Sequence, residues 1–159
     1  DGTEAGTDEV GELVAAGDNI MEGYWNAPEE TAEVLTELGY HTGDLARRDG
    51  DGFLYIVGRS REMIKSGAHR ISPKEIEEAI AGNPAVDEVA VKGLADEMLG
   101  ESIEAFLTLR PGQSCTPREI QEWCRERIAP HKVPHHVTFL EAFPRNASGK
   151  IDKLALSSR

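Results

Sequence analysis

Several residue types and patterns are scarce in this chain of 159 residues, and each absence excludes a class of protein. Its 2 cysteines, Cys115 and Cys124, are too few for a disulfide framework and lack the spacing of metal ligands, so we expect no metal site. No apolar run approaches the roughly 18 residues of a membrane-spanning helix, and no secretory signal is evident. The 17 Lys and Arg stand against 29 Asp and Glu, which leaves no basic field to attract nucleic acid. These absences predict a cytoplasmic protein with no transmembrane segment and no nucleic-acid partner.

The charge that is present is unevenly distributed. Residues 1–58 carry 14 acidic and 2 basic side chains, whereas residues 59–159 carry 15 of each. The composition changes at the charged stretch 59–62. We therefore expect a linker at 59–62, with residues 1–58 on one side and a separate domain over 63–159 on the other.

Three segments have the pattern of a helix N-terminus. In each, an N-cap residue stands three positions before a glutamate, as in a capping box, and the pattern begins at Asn26, Ser72 and Thr116. The first of these helices is expected to continue through Leu38, because apolar residues recur at helical spacing until Gly39 ends it.

Strand patterns complete a prediction of an α+β fold. Apolar runs or alternation predict strands at 53–57, 86–94, 102–109 and about 136–140. The last three give residues 63–159 a three-stranded sheet with packed helices, a small domain of its own. Residues 1–58 are interpreted as the β-rich last part of a larger N-terminal domain whose body is absent.

The stretch from Pro144 to Lys153 contains the strongest functional signal. It places Lys150 directly after a small, flexible Asn-Ala-Ser-Gly loop. Because Gly149 adopts positive φ at little cost, the loop can present the lysine ammonium to a group outside its own domain. Such a strongly hydrated point charge suits a phosphate whose charge grows during a reaction. For this motif alone, the alternative is a solvated turn with an ordinary surface lysine.

Four stretches together resemble the adenylate-forming acyl-CoA synthetase superfamily, which includes peptide-synthetase adenylation domains and firefly-type luciferases. They are residues 23–31, 40–44, 58–73 and 144–153. They occur in the family's order and cover nearly the whole chain. The chain therefore resembles the C-terminal portion of an AMP-forming acyl-CoA synthetase, and residues 63–65 and 71–75 are more similar to fatty-acyl ligases than to peptide-synthetase adenylation domains.

The resemblance implies a role for individual residues of this sequence. Lys150 is the catalytic residue, which bridges the substrate carboxylate and the nucleotide during adenylation. Asp44 binds the ribose hydroxyls with the help of Arg59, and Arg70 helps to hold nucleotide or CoA phosphate. The alternatives are an Asp44 that stabilises its own turn, a surface ion pair for Arg59, and a plain solvated charge for Arg70.

The resemblance also implies a movement between two states. The C-terminal domain would swing about a hinge at Arg61, so that Lys150 leaves the site and a loop of Ser66, Gly67, Ala68 and His69 helps to form a channel for CoA. Two positions depart from the family pattern. Arg61 stands where Asp or Lys is usual, and Ala68 stands where a second glycine is frequent, with a methyl group that narrows the channel. His41 and His69 are interpreted as structural residues.

The reaction implied for the parent enzyme is the conversion of a carboxylic acid, ATP and CoA to acyl-CoA, AMP and pyrophosphate. ATP and its Mg²⁺ would be bound mainly by an upstream N-terminal domain, because the family's glycine-rich phosphate loop is not found in these residues. The isolated chain is therefore expected to be inactive. The identity of the carboxylic acid substrate is not specified by these residues. Two alternatives remain: an adenylation domain that loads a carrier protein, and a non-catalytic binding module with the same fold.

Overall fold

The computed structural model describes residues 2–157, and the chain divides into two compact units, one ending at Arg61 and the other beginning at Glu62. The first unit contains β1 (Val10–Ala15), α1 (Pro28–Val34), β2 (Leu35–Thr36), β3 (Gly39–Arg48) and β4 (Leu54–Arg59). The second contains β5 (Ile64–Ser66), β6 (His69–Ile71), α2 (Pro73–Ala81), β7 (Val86–Asp96), β8 (Gly100–Leu109), α3 (Pro117–Arg125) and β9 (His136–Phe139). Short 3₁₀ turns lie at Ser60–Glu62, Pro130–Lys132 and Lys153–Ala155. The predicted α+β class is confirmed.

In the first unit, β3 is the central strand. It pairs antiparallel with β1, and also with β2 and β4. The turn between β3 and β4 forms because Asp49 Oδ1 accepts hydrogen bonds from the N–H groups of Asp51 and Phe53, at 3.0 and 2.9 Å. This hairpin places the end of β4 beside the middle of β3.

The first helix differs from its prediction at both ends. It begins after Ala27 rather than Asn26, whose φ of +54° is outside the N-cap range, and it ends at Val34. Leu35 and Thr36 then form the short strand β2 against the start of β3. The helical spacing of the apolar residues did not reveal this change, because the pairing partner lies in the next element.

The second unit contains a five-stranded sheet in the order β6-β5-β8-β7, with β9 beside β8. All pairs are antiparallel except β8 and β9, which are parallel. The three predicted strands are present. The sheet is larger than predicted because the short strands β5 and β6 extend it, in a stretch that the sequence analysis treated as a loop.

The main core of the second unit is formed by the sheet and helices α2 and α3. Its buried residues include Ile76 and Ile80 of α2, Ile120 and Cys124 of α3, and Ile103, Ala105 and Leu107 of β8. Alternate residues of β8 thus face the helices, as a period of two requires. The helices and the sheet together give this unit its own apolar interior.

The capping patterns had different outcomes in this unit. The box at Thr116 is confirmed: its side chain accepts from the N–H of Glu119, and the Glu119 carboxylate accepts from the Thr116 N–H at 2.8 Å. Ser72 is the N-cap of α2, but the Glu75 carboxylate accepts hydrogen bonds from Lys132 Nζ at 2.6 and 2.7 Å. A long-range ion pair therefore holds the glutamate that the local pattern assigned to a cap.

The opposite face of the sheet is covered by the C-terminal segment of the chain. Phe106 of β8 and Ala90 of β7 form a smaller cluster with Phe143 and Leu156. These two residues of the segment are 7% and 5% exposed, so they anchor it on either side of residues 144–153. The stretch around Lys150 thus lies between two buried attachments to the sheet.

Candidate functional site

The two residues assigned to ribose binding are neighbours in the first unit. Asp44 and Arg59 are register partners on the adjacent strands β3 and β4. Arg59 Nε lies 2.9 Å from Asp44 Oδ1, and the two side chains are 48% and 27% exposed, respectively. The arginine thereby orients the carboxylate and leaves it accessible to a ligand. Two motifs that are separate in the sequence are brought together by strand pairing.

Strand β3 bends immediately before Asp44. Gly43 has a φ of +72°, a conformation that favours glycine. Thr42 Oγ1 donates to the carbonyl oxygen of Leu13 at 2.7 Å and accepts from the N–H of Asp44 at 3.1 Å. Thr42, and not the Asp44 side chain, therefore stabilises the bend. The Asp44 carboxylate is oriented by Arg59 and remains partly exposed, so it can accept hydrogen bonds from a ligand.

Glu12 holds the same bend from β1, and the sequence analysis did not identify it. Its Oε1 accepts from the N–H of Gly43 at 3.2 Å, and its Oε2 pairs with His41 Nδ1 at 2.9 Å. His41 Nε2 is in turn 3.0 Å from Thr36 Oγ1. His41 therefore connects three strands, as expected of a structural residue. Local sequence gave no signal for Glu12, because 31 residues separate it from Gly43.

Arg61 lies in the 3₁₀ turn Ser60–Glu62, where its side chain is exposed. The two compact units divide between Arg61 and Glu62. A short exposed turn contains few packed groups that would oppose a change of backbone angles. The role of Arg61 as a hinge stays a prediction.

The residues assigned to the CoA channel form a β-hairpin. Ser66 ends β5 and His69 begins β6, and Gly67 and Ala68 connect them. Gly67 has a φ of +57°, as the first residue of a type II′ turn requires, whereas Ala68 does not have positive φ. The second turn position therefore accepts alanine without backbone strain. Ser66 is 7% exposed and faces the interior, so only the other three residues are presented to solvent.

The exposed side of this hairpin is fixed by two contacts. The Gly67 N–H donates to the carbonyl oxygen of Leu99 at 2.8 Å. The ring of His69 stacks on that of His131, with centroids 4.1 Å apart and planes at 13°. Arg70 follows in β6 as an exposed residue opposite Lys65. The hairpin thus presents a cationic, solvent-facing edge, which fits a phosphate-bearing ligand.

Lys150 lies in an ordered turn of the second unit. Asn146 Oδ1 accepts from the N–H of Ser148 at 3.1 Å, from the Ser148 hydroxyl at 2.8 Å and from the N–H of Lys150 at 3.0 Å. Gly149 has a φ of +79°, as predicted from its place in the loop. Within residues 2–157, no hydrogen bond or ion pair of the Lys150 ammonium is found, and the residue is exposed. The backbone of the turn is fixed while the cation remains available.

Other reactive groups do not form a second centre in the described part of the chain. Burial raises the pKa of the Cys124 thiol to about 11 and also raises that of Cys115. Neither thiol is therefore suited to nucleophilic attack at neutral pH. Among residues 2–157 no group of three or more His, Cys, Asp or Glu is arranged to hold a metal ion. None of the helices described here has the length and apolar character needed to cross a membrane.

Comparison with known proteins agrees with this geometry. Residues 75–150 match the AMP-binding enzyme C-terminal domain family. A long-chain-fatty-acid–CoA ligase of Bacillus subtilis is 41% identical over 90% of this chain, which spans 26% of that ligase. A feruloyl-CoA synthase of an Amycolatopsis species is 43% identical over 91% of the chain, which spans 30% of it.

A solved structure extends the similarity to the fold. The o-succinylbenzoate CoA synthetase of Bacillus subtilis, in complex with its acyl-adenylate intermediate, superposes on 100% of this chain with a TM-score of 0.91 and 33% identity. The chain spans 33% of that enzyme. The resemblance stated from the sequence motifs is confirmed by these matches. Residues 75–150 thus belong to the AMP-binding enzyme C-terminal domain family, and the chain as a whole is similar to the C-terminal portion of adenylate-forming CoA ligases and synthetases.

Proposed function

We propose that this chain is the C-terminal part of an AMP-forming acyl-CoA ligase, which makes acyl-CoA, AMP and pyrophosphate from a carboxylic acid, ATP and CoA. The observation that carries the proposal is the pairing of Asp44 with Arg59 at 2.9 Å, since both residues were assigned to one ribose from separate motifs. The CoA ligases among the relatives support the same reaction.

Asp44 would bind the ribose of ATP. A carboxylate accepts two hydrogen bonds from the vicinal hydroxyls of a ribose, and charge-assisted bonds of this kind are stronger than neutral ones. Arg59 engages Oδ1 from one side, which fixes the orientation of the group before the ligand binds. A preorganised acceptor loses less freedom when ATP arrives.

Lys150 would act in the first half-reaction. The substrate carboxylate attacks the α-phosphate of ATP, the bond between the carboxylate oxygen and that phosphorus forms, and pyrophosphate leaves. The ammonium of Lys150 would neutralise charge that develops on the carboxylate and phosphate oxygens and hold them in line. An exposed cation on a fixed turn has the properties that this role needs. Mg²⁺ would be held with ATP mainly by the proposed upstream domain.

The second half-reaction would use another face of the same domain. We propose that Arg61 is the pivot and that Gly67, Ala68 and His69, together with Arg70, then line the path of CoA. These residues lie on an exposed hairpin edge, which supports the assignment. Residues 59–62 would thus act as a hinge between residues 1–58 and the mobile domain of residues 63–159.

Residues 1–58 would be the end of a larger domain that binds ATP and the acid. Several large apolar side chains of the first unit are exposed, namely Phe53, Leu54, Tyr55 and Ile56, at 45–66%. A cavity of about 450 Å³ is lined in part by Leu38, Ala46 and Leu54. Exposed apolar side chains and a cavity of this kind mark a surface that contacts a further part of a protein, and the upstream part of the same protein would cover it.

The test uses the complete enzyme, meaning this chain together with the proposed upstream domain. Pyrophosphate release is screened against a panel of carboxylic acids, and thioester formation is measured separately from preformed acyl-adenylate. Lys150→Ala should slow adenylation about a hundredfold or more, the usual scale for a charge-stabilising group, and leave thioester formation nearly unchanged. Lys74→Ala, which removes another exposed lysine of the same unit, should change neither step.

Two results would contradict the proposal. The first is an absence of pyrophosphate release with every acid in the panel. The second is an equal loss of both half-reactions in Lys150→Ala, which would give Lys150 a structural role. If the enzyme transfers the acyl group to a carrier-protein thiol and not to CoA, the proposed acceptor is wrong. The proposed adenylation step is unaffected by that result.

A further inference from the structure

The turn that presents Lys150 is attached to strand β7 on both sides of the lysine. Before it, Arg145 Nη2 donates to Glu88 Oε1 at 2.6 Å. After it, Lys92 Nζ donates to carbonyl oxygens at both ends of the segment 153–156, at 3.1 and 2.7 Å. Both Glu88 and Lys92 belong to a strand that is paired along its length with β8. The turn is exposed, yet its base is fixed to a rigid element.

The guanidinium of Arg145 also reaches the turn itself. Its Nη1 donates to the carbonyl oxygen of Gly149 at 3.0 Å, and Gly149 directly precedes Lys150. One planar group thus connects the carboxylate of Glu88 to the peptide that leads into the lysine. Because a guanidinium is planar and its donors are fixed relative to one another, the two bonds together set the distance between that peptide and the sheet.

The two hydrogen bonds of Arg145 fix the position of the lysine turn relative to β7, which the bonds within the turn do not do. Asn146 Oδ1 accepts three hydrogen bonds from the turn, and these set its internal shape. They do not determine where the turn lies relative to β7. The Arg145 side chain is 47% exposed and that of Glu88 is 35% exposed, and exposed ion pairs add little to stability. The Arg145–Glu88 pair therefore serves to position the lysine turn more than to stabilise the fold.

We infer that Arg145, held by Glu88, is a positioning residue for Lys150. The inference rests on the proposed function, in which Lys150 serves adenylation. Arg145 acts on the reaction through the placement of the lysine turn and not by contact with the reacting atoms. Loss of Arg145 should therefore matter only while Lys150 is present and only in the half-reaction that uses it.

The decisive experiment is a double-mutant cycle in the complete enzyme. Arg145→Ala should slow adenylation about tenfold, since a misplacement of a catalytic group by about 1 Å can cost up to a hundredfold. Thioester formation from preformed acyl-adenylate should be unchanged. In the Lys150→Ala background, adding Arg145→Ala should cause no further loss, because residues that act as a unit are not additive.

Two more variants separate position from folding. Glu88→Gln keeps an acceptor for Arg145 but removes the charge, so it should cause a smaller loss in the same half-reaction. Arg118→Ala is the matched control, because it breaks another exposed Arg–Glu pair of this unit, at 2.8 Å on α3. It should leave both half-reactions at the wild-type rate. Thermal unfolding of each variant shows whether the fold is retained.

The outcomes distinguish the inference from the function on which it rests. If Lys150→Ala slows adenylation but Arg145→Ala and Glu88→Gln do not, Arg145 is not a positioning residue. If Arg145→Ala slows both half-reactions equally, or multiplies the defect of Lys150→Ala, it acts independently of the lysine and the inference is wrong. If Lys150→Ala itself has no effect on adenylation, both the proposed function and the inference fail.

Discussion

Replacement of Glu12 tests whether the bend before Asp44 prepares the ribose site. Glu12→Ala removes two hydrogen bonds at once, those to the Gly43 N–H and to His41 Nδ1. An ordinary hydrogen bond contributes about 0.5–1.5 kcal/mol, and the Glu12 side chain is 37% exposed, so the values at the low end of that range apply. We expect the variant to lose about 1 kcal/mol of unfolding free energy, which leaves the unit folded.

The functional effect should be larger than the effect on stability. A displaced Asp44 would lose one charge-assisted hydrogen bond to the ribose, worth about 1.5 kcal/mol, which corresponds to roughly a tenfold higher KM for ATP. The assay is ATP-dependent pyrophosphate release by the complete enzyme at varied ATP. Glu12→Gln should have a smaller effect, because the amide oxygen still accepts from Gly43.

The matched control is Glu4→Ala. It breaks an exposed ion pair with Arg48 at the far end of β3 and should leave the KM for ATP unchanged. An unchanged KM in Glu12→Ala, together with a raised KM in Asp44→Ala, would show that Glu12 does not position the site. An unchanged KM in both variants would refute the assignment of Asp44 to ribose.

Four further predictions follow from the remaining features. Arg61→Pro fixes φ near −65°, which should hold the domain in one orientation. Adenylation should therefore stay within about tenfold of the wild-type rate while CoA-dependent product formation collapses, and survival of both steps in a half-reaction assay would place the pivot elsewhere. The isolated chain should show no ATP–pyrophosphate exchange, and any turnover by the purified chain would contradict this. Thr116→Ala should lower the unfolding free energy by about 1 kcal/mol near neutral pH. Hydrogen bonds from Thr116 lower the pKa of Glu119, so the part of this stabilisation that needs the carboxylate is present above the ordinary carboxyl pKa and is lost as the pH falls through the lowered value. The difference in unfolding free energy between the two forms in urea should therefore narrow from pH 7 to pH 3 without vanishing, because the hydrogen bond from the Glu119 N–H to Thr116 Oγ1 does not depend on pH; a constant difference would contradict the assignment. Thr138→Val should lower the unfolding free energy by about 1 kcal/mol, since it removes the hydrogen bond that Glu104 Oε1 accepts, while in the described chain the buried Oε2 of the same side chain has no partner; an unchanged value in urea unfolding would contradict this.

Elements with strong local signals were predictable from the sequence. Strand β8 follows from alternation, because a period of two needs no knowledge of the partner strand. The capping box at Thr116 is likewise a local interaction, complete within four residues. The positive φ of Gly149 could be anticipated for the same reason, since a short loop constrains its own backbone.

Predictions failed where a distant partner competed with the local pattern. Glu75 pairs with Lys132, 57 residues away, and the Ser72 side chain makes no capping hydrogen bond. Leu35 leaves the predicted helix because β3 offers it backbone hydrogen bonds. The strands β5 and β6 are only three residues long, and the sheet edge that accepts them cannot be read from so short a segment.

The same distinction applies to the candidate site. The sequence alone indicated the resemblance to the superfamily and the candidate residues Asp44, Arg59 and Lys150, because these residues belong to short motifs that occur in the family's order. Only the tertiary structure decided what holds them. Glu12 and Glu88 are brought to the bend and to the lysine turn by strand pairing and ion pairs, across 31 and 57 residues of sequence. A residue that contacts a motif from a distant part of the chain is not part of the motif's sequence pattern. Such a residue can therefore be identified only from the tertiary structure, in which the sheets bring the two together.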